Sequence, residues 1–219
     1  CMCIAASNKK ARFRHIKLSD EQQAIVDTLC MGKNVVCKAM PGTGKTTVSI
    51  AASVELYEKV GKSLHLTYNR KLKEESRHRV KAMGCETMIE VHSYHAAASR
   101  FFVQEGTNAD ETLIYEALEA TPVVPLDFGL LVIDESQDLT PLYVRFIQHM
   151  LSFFEQPPLI LIIGDPFQRI FAYLGASWKF MAHPEDYFGH LISSSVFERR
   201  HLTLCWRITP EMADWINEN

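Results

Sequence analysis

Ala39-Met40-Pro41-Gly42-Thr43-Gly44-Lys45-Thr46 is the stretch whose chemistry sets the fold. It fits a phosphate-loop pattern: a small residue, four variable positions, then Gly-Lys-Thr, with Ala39 where a first glycine is usual. Small residues let successive backbone N–H groups turn inward around a polyphosphate. Pro41, Gly42, Thr43 and Gly44 make that turn here, and Thr47 follows it. Lys45 would place a positive charge on the β- and γ-phosphates of ATP, and Thr46 would offer a hydroxyl to Mg2+. Such a loop joins a strand to a helix, whose N-terminus adds partial positive charge. The flanks agree, since residues 34–38 read as a short strand and residues 45–60 as a helix stopped by Gly61.

Outward from the loop, strand and helix patterns alternate. Residues 19–31 read as a helix capped by Ser19, 63–68 as a strand, and 70–83 as a helix stopped by Gly84. A strand at 86–91 and a helix at 93–103 follow. After a polar break come a short helix at 110–119 and a proline-containing connector at 121–127. Residues 130–133 and 159–163 are the most apolar runs, the kind buried on both faces of a parallel sheet, with a helix at 141–154 between them. Residues 203–205 read as a last strand and 210–217 as a terminal helix. The alternation predicts an α/β fold with a doubly wound parallel sheet and helices on both faces.

Composition narrows the class. A 47% apolar chain of 219 residues fills a real core and is not disordered. Its net charge of −3 argues against a globally basic coat for nucleic acid, though not against a local basic groove. The cysteines, Cys1, Cys3, Cys30, Cys37, Cys85 and Cys205, show no metal spacing and read as free thiols, mostly core, in a reducing compartment. No apolar run reaches ~18 residues, and the basic cluster at 9–15 is not followed by the apolar stretch of a signal peptide. The expectation is an intracellular protein, nuclear or cytoplasmic, with no membrane partner. A start at Cys1 reads as a piece of a longer chain.

Two further strand ends carry chemistry. Leu130-Leu131-Val132-Ile133-Asp134-Glu135 is an apolar strand ending in two carboxylates, where sites of open α/β sheets lie. Asp134 would hold the shell of Mg2+, and Glu135 would accept a proton from the attacking water. Residues 161–168 repeat the logic, ending in Gly164-Asp165-Pro166-Phe167-Gln168. The Gln168 amide would touch the γ-phosphate and the water, while Gly164-Asp165-Pro166 also makes an ordinary turn.

In this order the segments resemble the first RecA-like domain of UvrD/Rep-type superfamily 1 DNA helicases. Asp134-Glu135-Ser136-Gln137-Asp138 is similar to that family's Asp-Glu-x-Gln-Asp motif, and residues 164–176 to its Gly-Asp-x-x-Gln motif with paired aromatics and Gly-Ala. The resemblance covers residues 18–219. It leaves 1–17 as an extension and 96–128 as a short helical insertion where relatives carry a larger one. It implies ATP and Mg2+ as cofactors. Gln22 of Leu18-Ser19-Asp20-Glu21-Gln22 would read adenine, although Ser19 and Gln22 also make a capping box. Trp206 would stack on adenine and Arg207 would reach the γ-phosphate, with a core tryptophan as the plainer reading.

For single-stranded DNA, or a single-strand/duplex junction, the resemblance nominates Tyr68, Asn69, Arg70, Ser93, Tyr94, His95, Phe171 and Tyr173. Core packing is the alternative for each aromatic. The charges at Arg77, His78, Arg79 and Lys81 read as a solvated helix face. Thr47 and Leu174 stand where relatives often carry arginines. The implied activity is an ATP-dependent helicase or translocase motor moving 3′-to-5′, with roles such as DNA repair. A nucleotide-dependent scaffold is the alternative. The second RecA-like domain is expected beyond Asn219, so that 1–219 alone would be weakly active.

Overall fold

The computed structural model describes residues 17–68, 70–103, 111–168, 175–192 and 194–207. Among them, six strands form one sheet: β1 (Asn34–Ala39), β2 (Ser63–Thr67), β3 (Ile89–Ser93), β4 (Leu130–Ile133), β5 (Leu159–Gly164) and β6 (Phe197–Leu202). Their order is β3-β2-β4-β5-β1-β6, and every neighbouring pair is parallel. The helices are α1 (Asp20–Cys30), α2 (Lys45–Val60), α3 (Arg70–Ala82), α4 (Tyr94–Ala98), α5 (Glu111–Leu118), α6 (Pro141–Leu151), α7 (Lys179–Ala182) and α8 (Pro184–Phe188). The chain leaves β1 for β2 and β3, returns to fill the gap with β4 and β5, and then crosses to β6. That reversal creates the switch point beside β1 where open α/β sheets bind ligands. The expected α/β parallel fold is what forms.

Successive residues of each strand serve opposite faces. Val35, Cys37, Val132, Leu161 and Ile163 pack under α1 and α2, against Ile25, Leu29, Val48, Ala52 and Leu56. Val36, Leu131, Ile133, Ile160 and Ile162 face the other layer, with Phe101, Phe102, Ile114, Phe146 and Ile147. All four residues of β4 are 0% exposed, so each contributes ~1.5–3 kcal/mol of transfer free energy. The helix caps are local: Thr140 accepts from the Tyr143 N–H, with Pro141 opening α6.

Four expectations shift. The third strand is Ile89–Ser93 rather than 86–91, because Cys85–Met88 closes a turn (Met88 N–H to Cys85 O, 2.9 Å) before the pairing with β2 begins. The helix expected at 93–103 is α4 followed by a π-helical turn, Ser99–Val103, which buries both Phe101 and Phe102. The last strand is Phe197–Leu202, not 203–205, and α7 and α8 precede it. β6 is an edge strand whose Glu198-Arg199-Arg200-His201 interior conceals it from a search for apolar runs. Cys37 and Cys85 are buried, Cys30 and Cys205 only partly so, and all four are free thiols. The terminal helix at 210–217, Cys1 and Cys3 lie outside the described residues.

His65 is buried in β2, its Nε2 2.7 Å from Ser53 Oγ on α2. Burial lowers its pKa from 6.5 to about 3, so it is neutral in the fold. The unfolded chain binds that proton below pH 6.5, so this contribution to stability is complete above 6.5 and is lost as pH falls toward 3. His92 acts in the same sense, being lowered to about 4 by burial and Arg77. Asp134, raised by burial to about 7, works oppositely over the same window. The His65→Gln variant isolates the term. Between pH 6 and 4 its unfolding free energy should fall with acidity less steeply than the wild type's, by about 1.4 kcal/mol per pH unit. Equal slopes in urea titrations would show that His65 titrates alike in both states.

Candidate nucleotide site

The loop leaves β1 and enters α2 through two left-handed glycines, Gly42 (φ 75°) and Gly44 (φ 84°). Both conformations are also sterically locked. A Cβ on Gly44 would lie 2.6 Å from Gln22 Nε2, and one on Gly42 2.8 Å from Cys205 Sγ. Gln22 is buried, donating Nε2–H to Thr43 O (3.0 Å) and accepting from the Ser19 N–H (3.1 Å). Ser19 Oγ accepts from the Gln22 N–H, so the capping box forms and its amide also clasps the loop. One N–H and one acceptor lone pair of that amide remain for a ligand.

On the opposite wall, the Trp206 N–H donates to Gly42 O (2.9 Å). The Glu21 carboxylate holds the preceding turn by accepting from Thr203 N–H (2.7 Å) and Oγ1–H (2.6 Å), and these bonds lower its pKa. Trp206 is 60% exposed and forms no part of the core.

The carboxylates meet the loop across the ends of β4 and β5. Lys45 Nζ lies 3.5 Å from Glu135 Oε2. Asp134 Oδ1 accepts from the Glu135 N–H (2.9 Å). Burial first, then the Glu135 charge, raises the Asp134 pKa to about 7. Glu135 is left-handed (φ 50°), the sole non-glycine so placed among the described residues. Backbone of that kind carries strain of order 1–3 kcal/mol and persists only when its surroundings fix it.

Gln137 holds the Glu135 carboxylate, a role that no local sequence pattern signals. Its Nε2–H donates to Glu135 Oε2 (3.0 Å), and its Oε1 accepts from the Asp165 N–H (3.0 Å). The amide thus ties the end of β4 to the end of β5. Gly164 makes room for it, since a Cβ there would sit 2.5 Å from Gln137 Oε1 and 2.9 Å from Ser136 N.

These elements enclose a cleft of about 430 Å3 lined by Gln22, Pro41, Gly42, Gly44, Lys45, Thr46, Thr47, Asp134, Glu135, Gln168, Trp206 and Arg207. Thr43 is buried behind it, its Oγ1–H donating to Met40 O (2.7 Å), and Ala39 is buried at the end of β1. Lys17 and one face of α3 (Leu72, Glu75, Ser76 and Arg79) complete the wall. Arg79 therefore does not stand on a purely solvated face. The i, i+3, i+4, i+7 spacing of those four residues was the available signal.

Three of the nucleic-acid candidates, Tyr68, Tyr94 and His95, gather around Tyr143. Tyr94 is 1% exposed and stacks on Tyr143 (4.4 Å, 15°). It is a core ring with no face for a base, which corrects its assignment as a nucleic-acid contact. Ser93 is buried as the cap of α4, its Oγ accepting from the Ala96 N–H. Tyr68 and His95 both meet Tyr143 edge-on, at 5.9 and 6.0 Å, and each keeps part of its surface. Arg70 is exposed and pairs with Glu74 (2.8 Å). Asn69, Phe171, Tyr173 and Leu174 lie outside the described residues.

The model of the AAA domain matches residues 22–174, from the loop-clasping glutamine through the β5 exit. The chain belongs to the AAA domain family. Solved structures with the same fold include the Pif1 helicase from Candida albicans (14% identity, TM-score 0.55, 93% of this chain and 44% of that one). Bacteroides sp Pif1 in complex with ADP-AlF4 gives 19% identity and a TM-score of 0.51 over 93% of this chain and 46% of that one. One of two coordinating Pif1 helicases at forked double-stranded DNA gives 18% and 0.53 over 93% and 48%. These likenesses show a shared RecA-like P-loop α/β fold and do not single out the UvrD/Rep branch. The chain spans less than half the length of each of those structures. No curated protein matches it significantly in sequence.

Replacing Gln137 by Leu keeps its bulk but leaves the Asp165 N–H without its acceptor and Glu135 without its amide donor. Urea unfolding should show a loss of ~1–3 kcal/mol. An unchanged midpoint would mean that the Gln137 bridge carries no net stability.

Proposed function

We propose that this AAA domain is the ATP-binding motor half of a DNA helicase or translocase, completed by a second RecA-like domain of the same longer chain. The observation that carries the reading is the convergence of Lys45, Thr46, Asp134, Glu135, Gln168, Trp206 and Arg207 on one cleft. A module that only binds nucleotide has no chemical need for a carboxylate held in a left-handed conformation opposite the phosphate loop.

The residues fit ATP and Mg2+. The two left-handed glycines leave a cradle that a Cβ would close, and Thr46 and the buried Asp134 carboxylate line the same cleft. Bound Mg2+ would supply charge for the phosphates and would favour the ionised form of Asp134. Lys45 contacts the phosphates and leaves Glu135 free to take a proton from the attacking water. Gln168 positions that water, and Arg207 and Arg79 balance the charge that develops on the transferred phosphoryl group. Trp206 covers the base, and the remaining polar edge of Gln22 reads it.

Movement on single-stranded DNA follows if the cleft opens and closes against the second domain. One of the Pif1 structures named above concerns DNA unwinding at forked double-stranded DNA, and the motif resemblance implies a 3′-to-5′ direction. Among the nominated contacts, Tyr68, His95 and Arg70 keep exposed surface, which supports their meeting the strand.

Two measurements test the reading. Lys45→Ala should weaken binding of a fluorescent ATP analogue to this chain at least about tenfold, the equivalent of ~1.4 kcal/mol. In the longer protein, single-stranded DNA should stimulate ATP hydrolysis, and Glu135→Gln should abolish hydrolysis while retaining ATP binding. A hydrolysis rate indifferent to DNA would sink the translocase reading, and strand displacement from either end reads the direction.

A further inference from the structure

A parallel sheet in an α/β domain is normally covered on both faces. Here one part of it is open. Lys38, the fifth residue of β1, is exposed although β1 is hydrogen-bonded to β5 on one side and β6 on the other. Its partner across β6 is His201, and two residues back Val36 faces Arg199. Strand alternation puts Val36, Lys38, Arg199 and His201 on the same face. Arg200, pointing the other way, donates to Thr28 Oγ1 on α1 (2.9 Å). Lys38, Arg199 and His201 line a cleft of about 200 Å3 floored by Val36 and Met181.

The cations are differently held. Arg199 is fixed by Ala182 O (3.1 Å) and Glu185 (2.9 Å). Lys38 makes no ion pair among the described residues, and His201 lies within electrostatic reach of Glu21. One turn of α7 before the cleft-lining Met181 and Ala182 stand exposed Trp178 and Lys179, and the Ser177 N–H anchors this turn to Leu139 O (3.0 Å), next to Asp138. A lysine within a strand paired on both sides costs desolvation unless its head reaches solvent or an anion, and Lys38, next to the C-terminal end of β1, is exposed. In a chain of net charge −3, Lys38, Arg199 and His201 exposed on one cleft, with an exposed indole one helical turn from its lining, are a localised feature.

We propose that this open face of β1 and β6 binds the phosphate backbone of single-stranded nucleic acid, as a contact separate from the motif segments. Lys38 and Arg199 meet phosphates, His201 donates a hydrogen bond, and Trp178 stacks on a base. The cleft is smaller than the ~300–1,000 Å3 of a small-molecule pocket, which suits a backbone phosphate better than a free nucleotide. An exposed indole one helical turn from the cleft-lining Met181 and Ala182 favours a polynucleotide over an acidic protein. The inference rests on the nucleic-acid part of the function proposed above.

The test is anisotropy of labelled oligo-dT titrated with the full chain over a series of salt concentrations, with ATP-analogue binding measured alongside. Lys38→Gln/His201→Gln should weaken oligo-dT binding about tenfold and reduce the salt slope by about 1, with ATP-analogue affinity held within about twofold. Trp178→Ala should weaken binding about fivefold without altering the slope. Wild-type binding of oligo-dT with no effect in any of these variants overturns the proposal and leaves the helicase reading intact. No binding of oligo-dT by the wild type, with ATP-analogue binding normal, removes the nucleic-acid reading and the proposal together. Displacement by inorganic phosphate beyond that of chloride at equal ionic strength would make this a free-phosphate site. Equal affinity for poly-glutamate would make it a protein-docking face. Either result overturns the polynucleotide assignment.

Discussion

Parallel hydrogen bonding of β1 to β5 and of β5 to β4 brings three strand ends to one edge. Lys38 stands beside Gly164, and Ile162 beside Ile133. The phosphate loop, the two carboxylates and the Gly164-Asp165 turn are more than a hundred residues apart at their extremes. They meet only because these registers are held. The registers in turn depend on strands buried on both faces, where a slip of one residue would turn every side chain to the wrong layer.

At that edge, polar groups replace packing as the organising force. Gln137 spans the β4 and β5 ends and fixes the left-handed Glu135. Gln22 does the same for the loop from α1, and Glu21 ties the Thr203 turn to the same helix. Gln137 reaches the Glu135 carboxylate directly, whereas Gln22 and Glu21 act through the backbone of Thr43 and Thr203. The cleft is therefore held by side-chain bonds within the domain, with its backbone strain localised at Glu135. Lys45 and Glu135 compensate each other across it at 3.5 Å.

Much of this was legible from residue order. The Gly42 and Gly44 spacing with Lys45-Thr46 is a local device, and so is an apolar strand that ends in Asp134-Glu135. The capping box at Ser19 and Gln22 was legible too, as was the π-helical segment's helical character, though not its change of pitch. β6 was not legible, because its four charged interior residues lack apolar periodicity and only the pairing with β1 makes them a strand. Tyr94 was misassigned for a related reason. An aromatic in a nominated motif has the same composition whether it faces a base or Tyr143.

The sequence by itself determined the alternation of elements, the phosphate loop and the carboxylate pair, since each depends on neighbours within a few residues. Tertiary structure alone decided that the Gln137 amide bridges two strands, that Arg79 looks into the cleft, and that Lys38 and His201 share an uncovered sheet face. Those facts depend on strand order, which brings residues far apart in the chain within hydrogen-bonding distance, and no local pattern encodes which strand lies next to which.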